Sequence, residues 1–228
     1  MDIWYIILVV PALILSIGAQ FLVTSTFKKY STVRNYRGLT GADAAMRVLS
    51  SHAVHSVRIE HVQGNLTDHY DPRSNVIRLS DSVYQSTSVA AVGVACHEAG
   101  HAVQYAKNYS PIKLRAAIIP ITNIGSSLGL VLAMIGLAIA SNPIAMIGVV
   151  LFGSVVLFQL LTLPVEFNAS ARALQTIKNE SLLDSEQYAG AKKVLQAAAL
   201  TYVAAMISSL MNLIRILLMV TGNNKKMR

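Results

Sequence analysis

AAIIPITNIGSSLGLVLAMIGLAIASNPIAMIGVVLFGSVVLFQLLTLPV, residues 116–165, runs for 50 consecutive positions without an Asp, Glu, Lys, Arg or His. A soluble helix pair would alternate a polar face with an apolar one, and this stretch has none to spare for water. Its only interruption is Ser141-Asn142-Pro143, residue types suited to a tight reversal. The stretch therefore reads as two membrane helices, 118–140 and 143–163, whose outer ends return to the same side of a bilayer.

Two further segments have spanning length, 3–23 and 200–220. The chain as a whole agrees: 228 residues, 54% hydrophobic and only 13% charged. The first segment lacks a basic leader and suits a retained span better than a cleaved signal peptide. The fourth is ambiguous, because Thr201, Ala205, Ser208, Asn212 and Arg215 recur at helical spacing. It either lies along the membrane surface or crosses with that stripe packed on neighbouring helices.

The formal charge of +8 does not point to nucleic acid. The basic residues are scattered through loops and beside apolar runs, with no basic helix or RNA-reading motif. They follow the pattern of cytoplasmic flanks instead. Lys28, Lys29, Arg34 and Arg37 follow the first segment; Lys107, Lys113 and Arg115 precede the second; Arg172 and Lys178 follow the third. Only Lys225, Lys226 and Arg228 dissent, since four full spans would place them outside. The single cysteine, Cys96, excludes an intramolecular disulfide and a paired-cysteine zinc site. It reads as small core filler.

Residues 26–115 and 164–199 are too mixed to cross a membrane and form the expected cytosolic portion of a single 1–228 domain. Residues 39–49 read as a helix with Thr40 as N-cap and Asp43 in its first turn. Strands are expected over 56–62, 66–70 and 75–79, with a turn through Asp71-Pro72-Arg73-Ser74. A long helix over 88–108 follows, ending before Pro111. The fold class is thus a mainly α integral membrane protein, a helical bundle with a small cytosolic α+β portion.

His97-Glu98-Ala99-Gly100-His101 lies in the middle of that last helix. The i, i+4 spacing turns both imidazoles to one face, so the backbone presets two ligands for one metal. Glu98, one step round the helix, can take a proton from water at that metal without ligating it. Zinc there would lower the pKa of water to about 7 and polarise a carbonyl. The small residues Ala95, Cys96, Ala99, Gly100 and Ala102 allow another element to approach.

A catalytic zinc needs a third protein ligand. The extended form with a third histidine fails, because Gln104 and Lys107 occupy the required glycine and histidine positions. Glu166 is the best candidate: it stands where the apolar hairpin returns to the side of the histidine helix, and a carboxylate at a membrane edge calls for a partner. The less favoured alternative for Glu166 is a plain helix N-terminal carboxylate held by the dipole. Asp68, His69, Asp71 and Asp81 compete as ligands from upstream. Asn168 and Ser170 could orient ligands. Strand 66–70 could accept a peptide by β-augmentation, with His69 or Tyr70 beside an oxyanion.

LTGADAAMRVL (39–49), LTDHYDPRSNVIRLS (66–80), HEAGHAVQ (97–104), LTLPVEFNASARA (161–173) and AAALTYVAA (197–205) together resemble the bacterial membrane zinc metallopeptidases of the YugP type. HEAGH with a later EFNAS is also similar to the membrane peptidases of the HtpX and prenyl-protein protease type. The resemblance implies a gluzincin-like site, with zinc on His97, His101 and Glu166 and Glu98 as base. Asn168 departs from the aspartate usual in the YugP type, and Ser170 from the aspartate of the other group.

The expected function is zinc-dependent hydrolysis of peptide bonds in membrane-associated proteins or peptides, at the cytoplasmic face of a bacterial plasma membrane. The partners are the lipid bilayer and a protein or peptide substrate, with no nucleic acid; the sequence carries no sign of oligomeric state. Two other readings remain. One is a non-catalytic membrane scaffold with a structural zinc, which has no need of Glu98. The other is a zinc hydrolase acting on a non-peptide amide.

Overall fold

A computed structural model describes residues 2–226, most of them helical. The elements in chain order are α1 (Val10–Ser31), α2 (Gly41–Ser51), β1 (Arg58–His61), β2 (His69–Asp71), β3 (Val76–Leu79), α3 (Val89–Ala106), α4 (Ser110–Ile124), α5 (Leu130–Ala138), α6 (Asn142–Asn179) and α7 (Ser185–Lys226). A π-helical turn, Tyr5–Val9, leads into α1, and another, Gly125–Gly129, joins α4 to α5. Four of the resulting helices are long and apolar enough to cross a membrane: Tyr5–Ser31, Ser110–Ala138, Asn142–Asn179 and Ser185–Gly222. Arg228 and the side chains of Lys225 and Lys226 lie outside the described residues.

The chain divides into two compact units. The first comprises Met1–Ala19, Lys113–Leu163 and Thr201–Arg228. Within it glycine decides how closely helices pack. A Cβ on Gly136 would stand 2.2 Å from the Ala145 backbone nitrogen, and one on Gly148 equally close to that of Ala133. These two glycines let α5 and α6 touch backbone to backbone, as small residues do where lipid supplies no hydrophobic drive. Ala133, Ala145, Val149, Phe152, Ile216 and Val220 fill the space between.

The polar stripe on α7 is used in this unit. Ser208 Oγ meets Ser16 Oγ at 2.9 Å and the Ala12 carbonyl at 3.2 Å. Arg215 donates to Asp2 at 2.7 Å and lies 5.0 Å from the centre of the Tyr5 ring. From Ser16 back to Asp2, α1 and the segment before it therefore run antiparallel to α7 from Ser208 to Arg215. Residues 200–220 are the continuation of one long helix, in which Ser208 bonds α1 and Arg215 bonds Asp2 and Asn212.

The second unit comprises Gln20–Ile112 and Pro164–Leu200. Thr40 closes α2 with a reciprocal cap: its hydroxyl accepts from the Asp43 N–H at 3.1 Å, and Asp43 accepts the Thr40 N–H at 3.0 Å. This satisfies two N–H groups that a bare helix start leaves open. Ser88 caps α3 from one side only, its hydroxyl accepting from the Ala91 N–H at 3.1 Å. A three-stranded sheet of order β1-β3-β2 lies alongside, with β1 parallel and β2 antiparallel to β3. Val48, Ile77, Leu79, Val92, Val103 and Ile177 make a fully buried core.

Two expectations are corrected here. The segment 66–70 is not one strand: Leu66 has φ +57, which breaks an extended run, and pairing begins only at His69. And Glu166 does not open a helix. The α6 helix runs through Pro164 without ending, so Glu166 sits deep in its interior, where a helix-terminal dipole has no purchase.

Candidate metal centre

All the residues of this centre belong to the second unit, so they are built from α3 and the part of α6 that packs beside it. The α3 helix is apolar and almost wholly buried, from Val89 through Val103. A polar side chain survives in such a helix only with partners. His97 and His101, one turn apart, stack edge to face with ring centres 4.7 Å apart.

Gly100 explains how α6 reaches them. A Cβ there would stand 2.7 Å from the Ala169 carbonyl oxygen, so the absent side chain lets the α6 backbone lie against α3. One turn earlier on α6, Glu166 is 3% exposed. Its Oε2 lies 3.2 Å from His97 Nε2 and 3.4 Å from His101 Nε2. One ligand atom from each of His97, His101 and Glu166 falls within 4.8 Å of the others, a group able to hold a metal ion.

The far side of each imidazole is fixed as well. His97 Nδ1 meets Ser170 Oγ at 3.0 Å. His101 Nδ1 meets Gln104 Oε1 at 3.0 Å. Gln104 is itself oriented, since its amide nitrogen donates to the Val165 carbonyl at 2.8 Å and to Asn168 Oδ1 at 3.0 Å. Its oxygen can then only accept, so the neutral His101 ring carries its proton on Nδ1 and offers the Nε2 lone pair. Arg172 completes the chain by donating to Asn168 at 2.8 Å. Asn168 thus supplies the acceptor that an aspartate would supply, without a second negative charge.

These donors suit zinc: two imidazole nitrogens and one carboxylate leave a coordination position free. The electrostatics point the same way. Burial opposes protonation of His101, yet the hydrogen bond to Glu166 and the charges of Glu98 and Glu166 outweigh it and raise its pKa. That field favours a cation between the rings. Glu98, partly exposed, makes no hydrogen bond to another described residue.

The upstream competitors are engaged elsewhere. Asp68 accepts from the Ser80 N–H at 2.7 Å and the Ser80 hydroxyl at 2.9 Å; burial pushes its pKa up, the Ser80 bonds oppose this, and nearby Glu98 adds to the rise. Asp71 is tied to Ser74 and Arg78, and Asp81 to His61 and Gly64. His69 Nδ1 meets its own loop at Thr67, and the Tyr70 hydroxyl donates to Asn75. Gln104 is the residue that motif reading passed over. Its place three positions after the second histidine puts it on the same helix face, but the α6 groups that orient it are not visible in the sequence.

The family described as "Putative neutral zinc metallopeptidase" matches residues 5–221 of the chain. The chain is 46% identical over 211 residues to the "Putative membrane protease YugP" of Bacillus subtilis (strain 168), an alignment covering 92% of this chain and 94% of that protein. No solved structure matches it significantly. Together with a histidine–histidine–glutamate group fit for Zn2+, this places the chain among the membrane zinc metallopeptidases: it belongs to the neutral zinc metallopeptidase family.

Proposed function

We propose that this protein is a membrane-embedded endopeptidase in which His97, His101 and Glu166 hold zinc and Glu98 is the general base. The single observation that carries this reading is the convergence of two imidazole Nε2 atoms on the buried Glu166 carboxylate, with Glu98 one position along the same helix. Bound zinc supplies Lewis acidity, acidifying water and polarising the scissile carbonyl. With zinc bound, Glu98 would take the proton that water loses as its oxygen bonds the carbonyl carbon, and would return it to the amide nitrogen as the C–N bond breaks. Ser170 and Gln104 hold the imidazoles so that no rotation is needed during the reaction.

The free edge of β2 supports a way to present substrate. In the order β1-β3-β2 that strand pairs, among the described residues, on one side only, and an extended peptide can add to the other. Residues 3–23, 118–140, 143–163 and 200–220 are proposed to cross the plasma membrane, leaving 26–115 and 164–199 in the cytosol. The substrates are then membrane-associated proteins or peptides, cleaved at the cytoplasmic face. The antiparallel run of α7 beside α1 supports a crossing fourth segment.

A Glu98→Gln variant separates an enzyme from a scaffold with structural zinc. General-base loss predicts a fall of about 10²–10⁴-fold in cleavage of a denatured protein substrate, with zinc content unchanged. Cleavage equal to the parent would end the enzyme reading.

A further inference from the structure

Away from the metal centre, the second unit carries a groove of about 330 Å³ where the end of α1 meets the first half of α7. It is lined by Leu22, Thr26, Lys29, Tyr30, Lys193, Gln196, Ala197 and Leu200. We propose that this groove binds an anionic phospholipid, with the phosphate between Lys29 and Lys193 and the upper acyl chain along Leu22, Ala197 and Leu200.

The lining divides by chemistry. Leu22, Ala197 and Leu200 stand on helices whose apolar runs suit a bilayer, Tyr5–Ser31 and Ser185–Gly222. Lys29 lies in the last turn of α1, where a span emerges and headgroups begin. Lys29 and Lys193 are both exposed, and among the described residues neither pairs with a carboxylate. The Lys29 ammonium lies 5.6 Å from the Tyr30 ring centre, which steadies a long side chain at the rim. Two cations above an apolar wall match a phosphate above an acyl chain.

Charge also fixes the direction of the headgroup. A neighbouring groove of about 470 Å³ shares Lys29, Tyr30 and Lys193 but adds Asp184 and Glu186. Those carboxylates repel an anion, so the phosphate belongs on the Leu22–Leu200 side, which no acidic residue lines. An acidic soluble peptide fits less well, because half the wall would lie in hydrocarbon. The volume is at the small end for ligand pockets, enough for a headgroup and the first part of a chain while the rest stays in the bilayer.

The test uses the full-length, zinc-loaded protein in detergent, titrated with phosphatidylglycerol, phosphatidylcholine or phosphatidylethanolamine and read by native mass spectrometry. Two lysines near a membrane surface correspond to about a thirtyfold preference for the anionic lipid. Phosphatidylglycerol should be retained in preference to both zwitterionic lipids, Lys29→Gln with Lys193→Gln should abolish the preference, and Lys29→Arg with Lys193→Arg should keep it. Lys178→Gln, a surface charge outside the groove, should leave it unchanged. Equal retention of the three lipids, or a preference that survives the double glutamine variant, overturns the proposal. So does inorganic phosphate, added alone, competing with phosphatidylglycerol at equal concentration in the same spectra, which would leave the apolar wall without a role.

Discussion

At the scale of single residues, the candidate centre depends on groups that lie behind its donor atoms. Gln104 is the most informative. Its amide is held by Val165 and Asn168, and its oxygen fixes the proton of His101 on the ring nitrogen facing away from Glu166. Gln104→Ala removes that constraint, and zinc affinity should fall by about 10–100-fold in a competition assay with a chromophoric chelator. An unchanged affinity would mean that packing alone orients the ring. The pairing of His97 with His101 was legible in the sequence because helical spacing dictates it, whereas the role of Glu98 is a proposal. Glu166 was legible because the uncharged stretch must end on the side where it began. Gln104 was not read, since its role requires knowing that Asn168 and Val165 of a distant helix lie beside it.

At the scale of elements, local chemistry set the helix starts, whereas strand lengths came from pairing. Thr40 and Ser88 cap where hydroxyl residues before apolar runs should cap. The strands came out shorter because loop geometry intervened, as at Leu66, and periodicity carries no record of that. The β2–β3 turn makes a pH prediction. Asp71 accepts hydrogen bonds from Ser74, Arg78 and the Arg73 N–H, in that order of effect, and its carboxyl lies well below the ordinary range. A depressed folded-state pKa stabilises the turn fully above the unfolded value of about 3.9 and loses that contribution as pH falls through the folded value. Amide-exchange protection factors at Arg73 and Ser74 should therefore drop on acidification below about 4. Factors that stay level would show that the carboxylate does not hold the turn.

Glycine works at the same scale. Gly100 admits α6 to α3, and Gly136 and Gly148 bring α5 and α6 together. The need for small residues near the metal face was readable from HEAGH. Which backbone would press on which glycine was not, because that depends on the pairing of helices far apart in sequence.

For the molecule as a whole, the four long apolar helices were evident from composition, and the fourth segment was not decided by it. In the structure Ser208 bonds Ser16 on α1 and Arg215 bonds Asp2 ahead of it, so this part of the α7 stripe packs on the N-terminal segment. Arg215 sits against Asp2 and so counts little as a free positive charge in a topology argument. If α7 crosses, Thr221 emerges opposite Lys178. Native Cys96 is buried and leaves a quiet background for labelling. With a membrane-impermeant maleimide on intact cells, Thr221→Cys should react and Lys178→Cys should not. The reverse pattern would invert the topology and move the metal centre to the outer face.

The central claim is that one zinc ion joins α3 to α6. It is tested most directly by anomalous diffraction at the zinc edge from crystals of the full-length protein. The account predicts a single peak about 2.0–2.2 Å from Nε2 of His97, Nε2 of His101 and a carboxylate oxygen of Glu166. A peak held by the two histidines with Glu166 out of reach, or by another carboxylate in its place, would contradict it.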